Sequence, residues 1–532
     1  MMLLPVPGYY LLRMRSRAKA ATAALAFLTS CAVVLLAIYF FRTAWYVFFP
    51  ADFLVWPEGD FVNDILKFSV GYPLYSPQVN NDSFVYVPGS QLLTYVLARL
   101  AGQAGSIPFY RVIQVAYTLA AAGLALLCCR RILEAHGGSA PRSWLWHSFA
   151  YALLLLIATN SITNAFVHNL HGDALAQLVT LAGYYLLLRY VGTRSWTVLA
   201  LMAWVAPVGF LVKQSLVIWA GYFGGFLCIW GRPWRRVMVF AALTGALGAV
   251  TLGLCYALWG PHFVYWTWFV LSKHAVSPLR SFQHLMDAWV YFMAGLLGGT
   301  MILRGRYLSS LSGVWLVSLG VLAIETYTSG IAWMLNHMGP GCLLAGIWFV
   351  AGLTRWWESV HANWVERAAV TASLALLFNG MGLVRIPLRT VSGDAYRYVH
   401  DIERQFEGLD AGQVLLDAGS WVYWKQRVVM GDRAPSIGER GYSQTGDFSG
   451  ILSRIASKRY AKILVRGFHD QDFVYDYYLW SKSSGIRQSL LDNYRETGTI
   501  PAAQGPPAVP NWAEDPYYFG EITILEPKPA GL

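Results

Sequence analysis

About eleven long apolar stretches, set apart by short basic or polar turns, decide what this chain can fold into. They fall at roughly 20–49, 109–129, 144–166, 174–190, 196–212, 215–230, 237–259, 284–303, 310–327, 338–353 and 368–386. About 20 apolar residues suffice for a helix to cross a bilayer. Of the 532 residues 56% are hydrophobic and 13% charged, against about 45–50% and about 25% in soluble domains. That profile excludes a soluble enzyme, a disordered chain and a disulfide scaffold. The six cysteines (Cys31, Cys128, Cys129, Cys228, Cys255 and Cys342) all lie in apolar segments without metal-ligand spacing. The pair Cys128–Cys129 reads as small hydrophobes near a helix end.

The net charge of +11 is topological rather than a nucleic-acid footprint. Arg13, Arg15, Arg17 and Lys19 precede the first apolar run, which is too long for a cleaved signal peptide. Further clusters fall between alternate pairs of stretches: Arg130, Arg131 and Arg142; Arg189 and Arg194; Arg232, Arg235 and Arg236; Arg304 and Arg306; Arg355 and Arg367. Placing them all in the cytoplasm makes every crossing alternate. The expectation is a multi-pass helical protein with its N-terminus cytoplasmic and everything after 386 outside.

Residues 1–386 then form the membrane domain, with a long first outer loop at about 49–108. Within it Val87–Leu100 opens with Pro88–Gly89, and counting it as a span would invert all later loops. It is predicted as a re-entrant or surface-lying helix. A second outer segment, 260–283, is rich in Trp, Tyr and His. Residues 387–532 are polar and predict a small α/β domain: helix 394–407, strands Val414–Asp417 and Val428–Met430, helix Phe448–Ser457 and strand Ala461–Val465. The tail with Pro501, Pro506, Pro507 and Pro510 reads as irregular.

Several polar residues are not explained by the membrane. Asp52, Glu58, Asp60 and Asp64 crowd the outer end of the first helix, and Asp60, Asp64 and Lys67 share one face of a short helix. A carboxylate beside apolar walls can accept a proton from a hydroxyl, and Glu58 with Asp60 could hold a divalent cation. The plainer reading is a helix cap with solvated loop charges. His168, Asn169, His171 and Asp173 sit where the fourth helix re-enters; His168, His171 and Asp173 could bind a metal, and a hydrogen-bonded cap is the plainer reading. Lys213–Gln214 breaks the positive-inside pattern, so Lys213 either snorkels to headgroups or binds a lipid phosphate. Lys273, His274 and Arg280 lie in the second outer segment, and Asn336–His337 opens the tenth stretch. All share one side of the membrane.

The order of these features resembles the GT-C superfamily of polyprenyl-phosphate-sugar-dependent glycosyltransferases, over about residues 20–386. The group includes protein O-mannosyltransferases and lipid A aminoarabinose transferases. Four motifs carry the resemblance: Glu58–Gly59–Asp60; Gly71–Tyr72–Pro73–Leu74–Tyr75 with Tyr86–Val87–Pro88; His171–Gly172–Asp173–Ala174–Leu175–Ala176; and Lys213–Gln214. The bacterial family 39-like branch is the most similar, with His171 standing where its basic residue is usually Arg.

The resemblance implies a GT-C-like polytopic fold in the bacterial inner membrane. It implies transfer of a sugar from a polyprenyl-phosphate donor to an acceptor hydroxyl on a glycan, lipid or protein, with inversion, on the extracytoplasmic face. A first-loop carboxylate would be the base. Glu58 is favoured, between Pro57 and Gly59 at the cavity mouth; Asp60 is second, better placed as a cap; Asp64 pairs with Lys67 by spacing. Lys213 and Gln214 would meet the donor phosphate, with Lys273 or Arg280 assisting. Tyr86, Asn169, His171, Asp173 and His337 would line the substrate site. Nothing in the sequence requires a metal, although a divalent cation (Mg or Mn) is compatible with it. Two other classes fit the same profile, a polyprenyl-linked glycan flippase and a polymer ligase using lipid-pyrophosphate donors.

Overall fold

The computed structural model describes residues 7–52, 58–137, 143–160, 162, 164–231, 233–304, 308–331, 335–358, 373–374, 391–417, 419–469, 484–504 and 519–529. The eleventh apolar stretch at 368–386, Trp56–Pro57 and the prolines Pro506, Pro507 and Pro510 lie outside these, apart from 373–374.

The first apolar run is one helix, α1 (Pro7–Val47). The loop after it holds α2 (Glu58–Val70) and α3 (Gly89–Leu100), the latter where the surface helix was predicted. Nine helices follow: α4 (Ile107–Ala135), α5 (Trp144–Ala158), α6 (Asp173–Thr193), α7 (Trp196–Val212), α8 (Trp219–Trp230), α9 (Trp234–Val264), α10 (Pro278–Leu303), α11 (Ser310–Thr328) and α12 (Gly339–Glu358). Seven described helices are long and apolar enough to cross a membrane, and three more segments (Trp144–Ala158, Trp196–Val212 and Gln214–Trp230) are apolar but shorter. The chain is a multi-pass membrane protein. Burial divides the bundle. The apolar window of α12 is 94% buried and that of α9 only 6%, so α12 is the axis and α9 an outer helix. Backbones approach closely where α10 meets α12: a Cβ on Gly298 would lie 2.2 Å from the Trp348 carbonyl oxygen. Small residues allow such contacts between helices that have no hydrophobic drive to associate in lipid.

The second outer segment begins at a backbone break. Gly260 has φ 69°, a value that favours glycine, and Pro261 brings no N–H to the helix. The chain then runs through one π-helical stretch, Tyr265–Val270, and covers the α2 loop: Trp266 Nε1 donates to the Ser76 carbonyl at 3.0 Å.

The C-terminal part starts with α13 (Gly393–Arg404) and continues with α14 (Trp421–Gln426), α15 (Ala434–Tyr442), α16 (Ser449–Ala456) and α17 (Ile486–Asn493). A four-stranded sheet of order β1-β2-β4-β3 joins β1 (Val414–Leu416), β2 (Lys462–Arg466), β3 (Tyr494–Ile500) and β4 (Ile522–Pro527). The β1–β2 pair is parallel, with Leu415 opposite Ile463, and the other pairs are antiparallel. The predicted strand Val428–Met430 does not form. Arg427 closes α14 at φ 58°, and the Val428 N–H goes back to the Tyr423 carbonyl, so these residues form the exit of a helix. The sheet gains β3 and β4 instead.

This part docks on the α2 loop through polar contacts. The Asp52 carboxylate accepts the Ser420 and Trp421 N–H groups at 2.8 and 3.2 Å. Ser420 Oγ donates to the Gly59 carbonyl at 2.7 Å, and Asn81 Nδ2 donates to Asp432 at 2.9 Å. The first loop, the 260–283 segment and the C-terminal part therefore share one face of the bundle.

Candidate active site

Because α2 starts at Glu58, its first turn sets Glu58 and Asp60 at the positive end of the helix dipole. All of Glu58 to Lys67 is buried. Helical periodicity turns Glu58, Phe61, Val62 and Ile65 one way and Asp60, Asp64 and Lys67 the other.

On the first side Arg111 of α4 donates Nε to Glu58 Oε1 at 2.9 Å and Nη2 to Oε2 at 2.5 Å. The same guanidinium donates to the carbonyls of Tyr46, Phe49 and Ala51 at 3.0, 2.7 and 2.7 Å. It thus binds carbonyls at the end of α1 and the start of the following loop while neutralising Glu58. The Leu170 N–H reaches Glu58 Oε1 at 3.4 Å. Both oxygens that the favoured base would need are engaged, so Glu58 serves here as a clasp between α1, α2 and α4. Arg111 was absent from the sequence reading; an ionisable residue inside an apolar stretch was the available signal.

On the second side Asp60 Oδ1 faces Arg433 Nε and Ser436 Oγ of the C-terminal part, each at 3.4 Å, while Oδ2 is buried without a partner. Burial raises the Asp60 pKa, and Arg433 opposes the rise. The predicted Asp64–Lys67 pair does not form. Lys67 Nζ donates to the carbonyls of Leu74 and Asp82 at 2.6 and 2.8 Å and lies 3.8 Å from the Asp82 carboxylate. The loop after α2 folds back over the ammonium and offers it closer acceptors than its own helix does. Asp64 is left with no hydrogen bond or ion pair among the described residues, and burial pushes its carboxyl up to about 7.

A second cluster begins where α6 starts. Asp173 accepts Lys213 Nζ at 2.7 Å and Asn336 Nδ2 at 2.9 Å, and it pairs with the His171 ring. Lys213, the unexplained cation, thus has an anion within the protein; its extended backbone (φ −156°, ψ 122°) ends α7. The His171 ring lies beside the Asp173 carboxylate, and burial pulls its pKa down. The His171 N–H donates to Asn169 Oδ1 at 2.9 Å, and its ring contacts Phe61, Tyr86 and Phe166 at centroid distances of 5.2, 5.3 and 5.0 Å. The two clusters are joined here: Phe61 of α2 touches His171, and the adjacent Leu170 N–H reaches Glu58. His337 follows Asn336 and is half-buried.

Three expected phosphate ligands are occupied otherwise. Gln214 Nε2 donates to the Val85 carbonyl at 2.7 Å, fastening the loop before α3. Lys273 is exposed, with its ammonium 5.3 Å from the Phe269 ring centroid. Arg280, half-buried, donates to the Ile331 carbonyl at 3.4 Å. The His168 ring lies beside Tyr39, at a centroid distance of 5.4 Å. Among the described residues no three His, Cys, Asp or Glu side chains are grouped to hold a metal ion. Glu58, Asp60 and Asp173 each face a cation of the chain.

No family model matches the chain, and no curated protein matches it in sequence. Its fold does match solved structures. The oligosaccharyltransferase AglB of Archaeoglobus fulgidus, in complex with an inhibitory peptide and a dolichol-phosphate, aligns at TM-score 0.51 and 9% identity, covering 88% of this chain and 73% of that one. The apo form of the Archaeoglobus fulgidus oligosaccharyltransferase aligns at TM-score 0.54 and 9% identity, covering 88% and 72%. ArnT from Cupriavidus metallidurans in the apo state aligns at TM-score 0.50 and 13% identity, covering 93% of this chain and 98% of that one. The chain therefore shares the fold of these solved structures.

Proposed function

We propose that this protein is an integral-membrane glycosyltransferase that moves a sugar from a polyprenyl-phosphate donor to an acceptor hydroxyl on the extracytoplasmic face of a bacterial inner membrane. The observation that carries the reading is the Lys213–Asp173–Asn336–His171 cluster, joined through Phe61 to the carboxylates of α2 at one end of the bundle. A leaving phosphate at the mouth of an apolar groove needs a fixed cation. Lys213 answers that need, held in place by Asp173, with His337 and Tyr86 beside it. The acceptor hydroxyl gives its proton to an α2 carboxylate and attacks the anomeric carbon from the side opposite the phosphate, so the configuration inverts. Residues 387–532 form the extracytoplasmic domain that closes this face and brings Arg433 and Ser436 to α2.

A panel of polyprenyl-monophosphate sugars presented to the purified protein tests the reading. Release of polyprenyl phosphate with transfer of the sugar is expected. Turnover only of pyrophosphate-linked donors would make it a polymer ligase, and movement of intact donor across vesicles without cleavage would make it a flippase.

A further inference from the structure

The face of α2 that carries Asp60 and Asp64 is chemically one-sided. Asp60 Oδ2 and Asn63 Oδ1 are buried without partners, and Asp64 makes no hydrogen bond among the described residues. All of these are acceptors. The neighbouring donors are committed: Lys67 to the Leu74 and Asp82 carbonyls, Asn63 Nδ2 to the Asp82 carbonyl at 3.4 Å, and Arg433 to the Gly419 carbonyl at 3.2 Å as well as to Asp60. A buried acceptor left unpaired costs about 1–3 kcal/mol, and a partner bringing O–H donors would remove that cost. The surroundings also separate the two carboxylates. Arg433 and Ser436 reach Asp60, whereas Asp64 keeps both oxygens free and retains 4% exposure.

We propose that the Asp60–Asp64 face of α2 is the subsite for a hydroxyl-rich acceptor, a sugar or polyol, and that Asp64 takes the proton of the attacking hydroxyl. This rests on the transferase reading above. The O–H proton moves to an Asp64 oxygen, and the freed oxygen forms the bond to the anomeric carbon. The bond from that carbon to the phosphate oxygen breaks, its electron pair staying on the phosphate. Asp64 then returns its proton to water. Asp60 and Lys67 on its own helix, Asp82 and Tyr75 on the following loop, and Arg433 of the C-terminal part are the charged and titratable groups in its electrostatic reach. Burial outweighs the two cations and raises the Asp64 carboxyl to about 7, where a base is both available and strong.

The test uses the full chain in lipid nanodiscs, with polyprenyl-phosphate hexoses and pentoses as donors and glycerol as the acceptor probe. Polyprenyl phosphate release is followed from pH 5 to pH 9. The wild-type rate should rise with pH through an acid limb near neutrality. Asp64→Asn should slow release by about 100-fold or more with donor binding unchanged. Asp60→Asn removes a like charge and should move the acid limb down, and Arg433→Met should move it up; Asp60→Asn alone carries this arm if Arg433→Met fails to fold. Wild-type rates in Asp64→Asn, with the acid limb in place, overturn the assignment. Carbodiimide labelling of Asp64, read by peptide mass, gives a second measure. A labelling midpoint in the ordinary carboxylate range overturns the assignment even if donors are turned over. A neutral midpoint in a protein that cleaves no donor overturns the transferase reading instead.

Discussion

Arg111 and Glu58, from α4 and α2, form a two-pronged ion pair at 2.9 and 2.5 Å in which neither side chain touches solvent. The guanidinium also holds three carbonyls at the end of α1 and the start of the following loop, so a single residue joins three segments where the membrane bundle meets its first loop.

That asymmetry yields a ranked expectation. Arg111→Met strands a buried carboxylate and three carbonyls, whereas Glu58→Gln leaves the guanidinium with its carbonyl partners. Breaking a buried pair from one side costs about 3–5 kcal/mol, and Arg111→Met should fall at or beyond the upper end, with Glu58→Gln clearly milder. Thermal unfolding of the purified variants checks the order; equal losses would show that the carbonyl contacts carry no weight.

Lys213 offers a test of the donor site. Lys213→Ala should weaken equilibrium binding of polyprenyl phosphate by roughly tenfold to a hundredfold, the range for a lost hydrogen bond to a charged group. Lys213→Arg should recover much of it. Unchanged affinity in Lys213→Ala would confine Lys213 to neutralising Asp173.

Two carboxyls on the docking face make stability depend on pH in an uncommon direction. Burial raises Asp52 to about 6 and Asp64 to about 7 from an ordinary 3.8. Each binds its proton more tightly folded than unfolded, so its contribution is most favourable below about pH 4 and declines as pH rises to the folded value. Buried histidines such as His171, whose pKa burial lowers, act in the opposite sense, so the expectation is set against wild type. Asp52→Asn or Asp64→Asn should remove a decline and make the thermal midpoint rise more, or fall less, between about pH 4 and pH 7 than it does in the wild type. A pH profile left unchanged in both variants would contradict the burial of these groups.

Two glycines in apolar helices should respond oppositely to alanine. At Gly298 the added carbon would meet the Trp348 carbonyl oxygen at 2.2 Å, backbone that cannot yield, so Gly298→Ala should destabilise by about 1–3 kcal/mol or more through overpacking. At Gly245 in α9 nothing lies within 4 Å, and Gly245→Ala should be neutral or stabilising by up to about 1 kcal/mol through helix propensity. Melting curves of the two variants decide; similar shifts would mean that α10 and α12 do not meet at Gly298.

Much of the architecture was legible before any coordinates. Ten of the eleven apolar stretches coincide with helical segments in the described residues, and the stretch after Pro88–Gly89 is the helix α3. The Gly260–Pro261 break falls where hydropathy ended the seventh stretch. The C-terminal part was less legible. Val428–Met430 has strand composition but is consumed by the end of α14, and β3 and β4 need each other across the proline-rich tail to become a sheet.

The sequence by itself determined which segments are helical, which of them can enter a bilayer, and that Asp60, Asp64 and Lys67 share a face. Length, composition and a 3.6-residue period are local properties, readable without knowing where the chain goes next. Tertiary structure alone decided which charge meets which. Lys67 passes over Asp64 for Asp82, Glu58 takes Arg111 from 53 positions away, and Asp60 meets Arg433 from 373 positions away. Ion pairing depends on distance in space and on the water removed around each group. For residues so far apart along the chain, neither quantity exists until the fold brings them together.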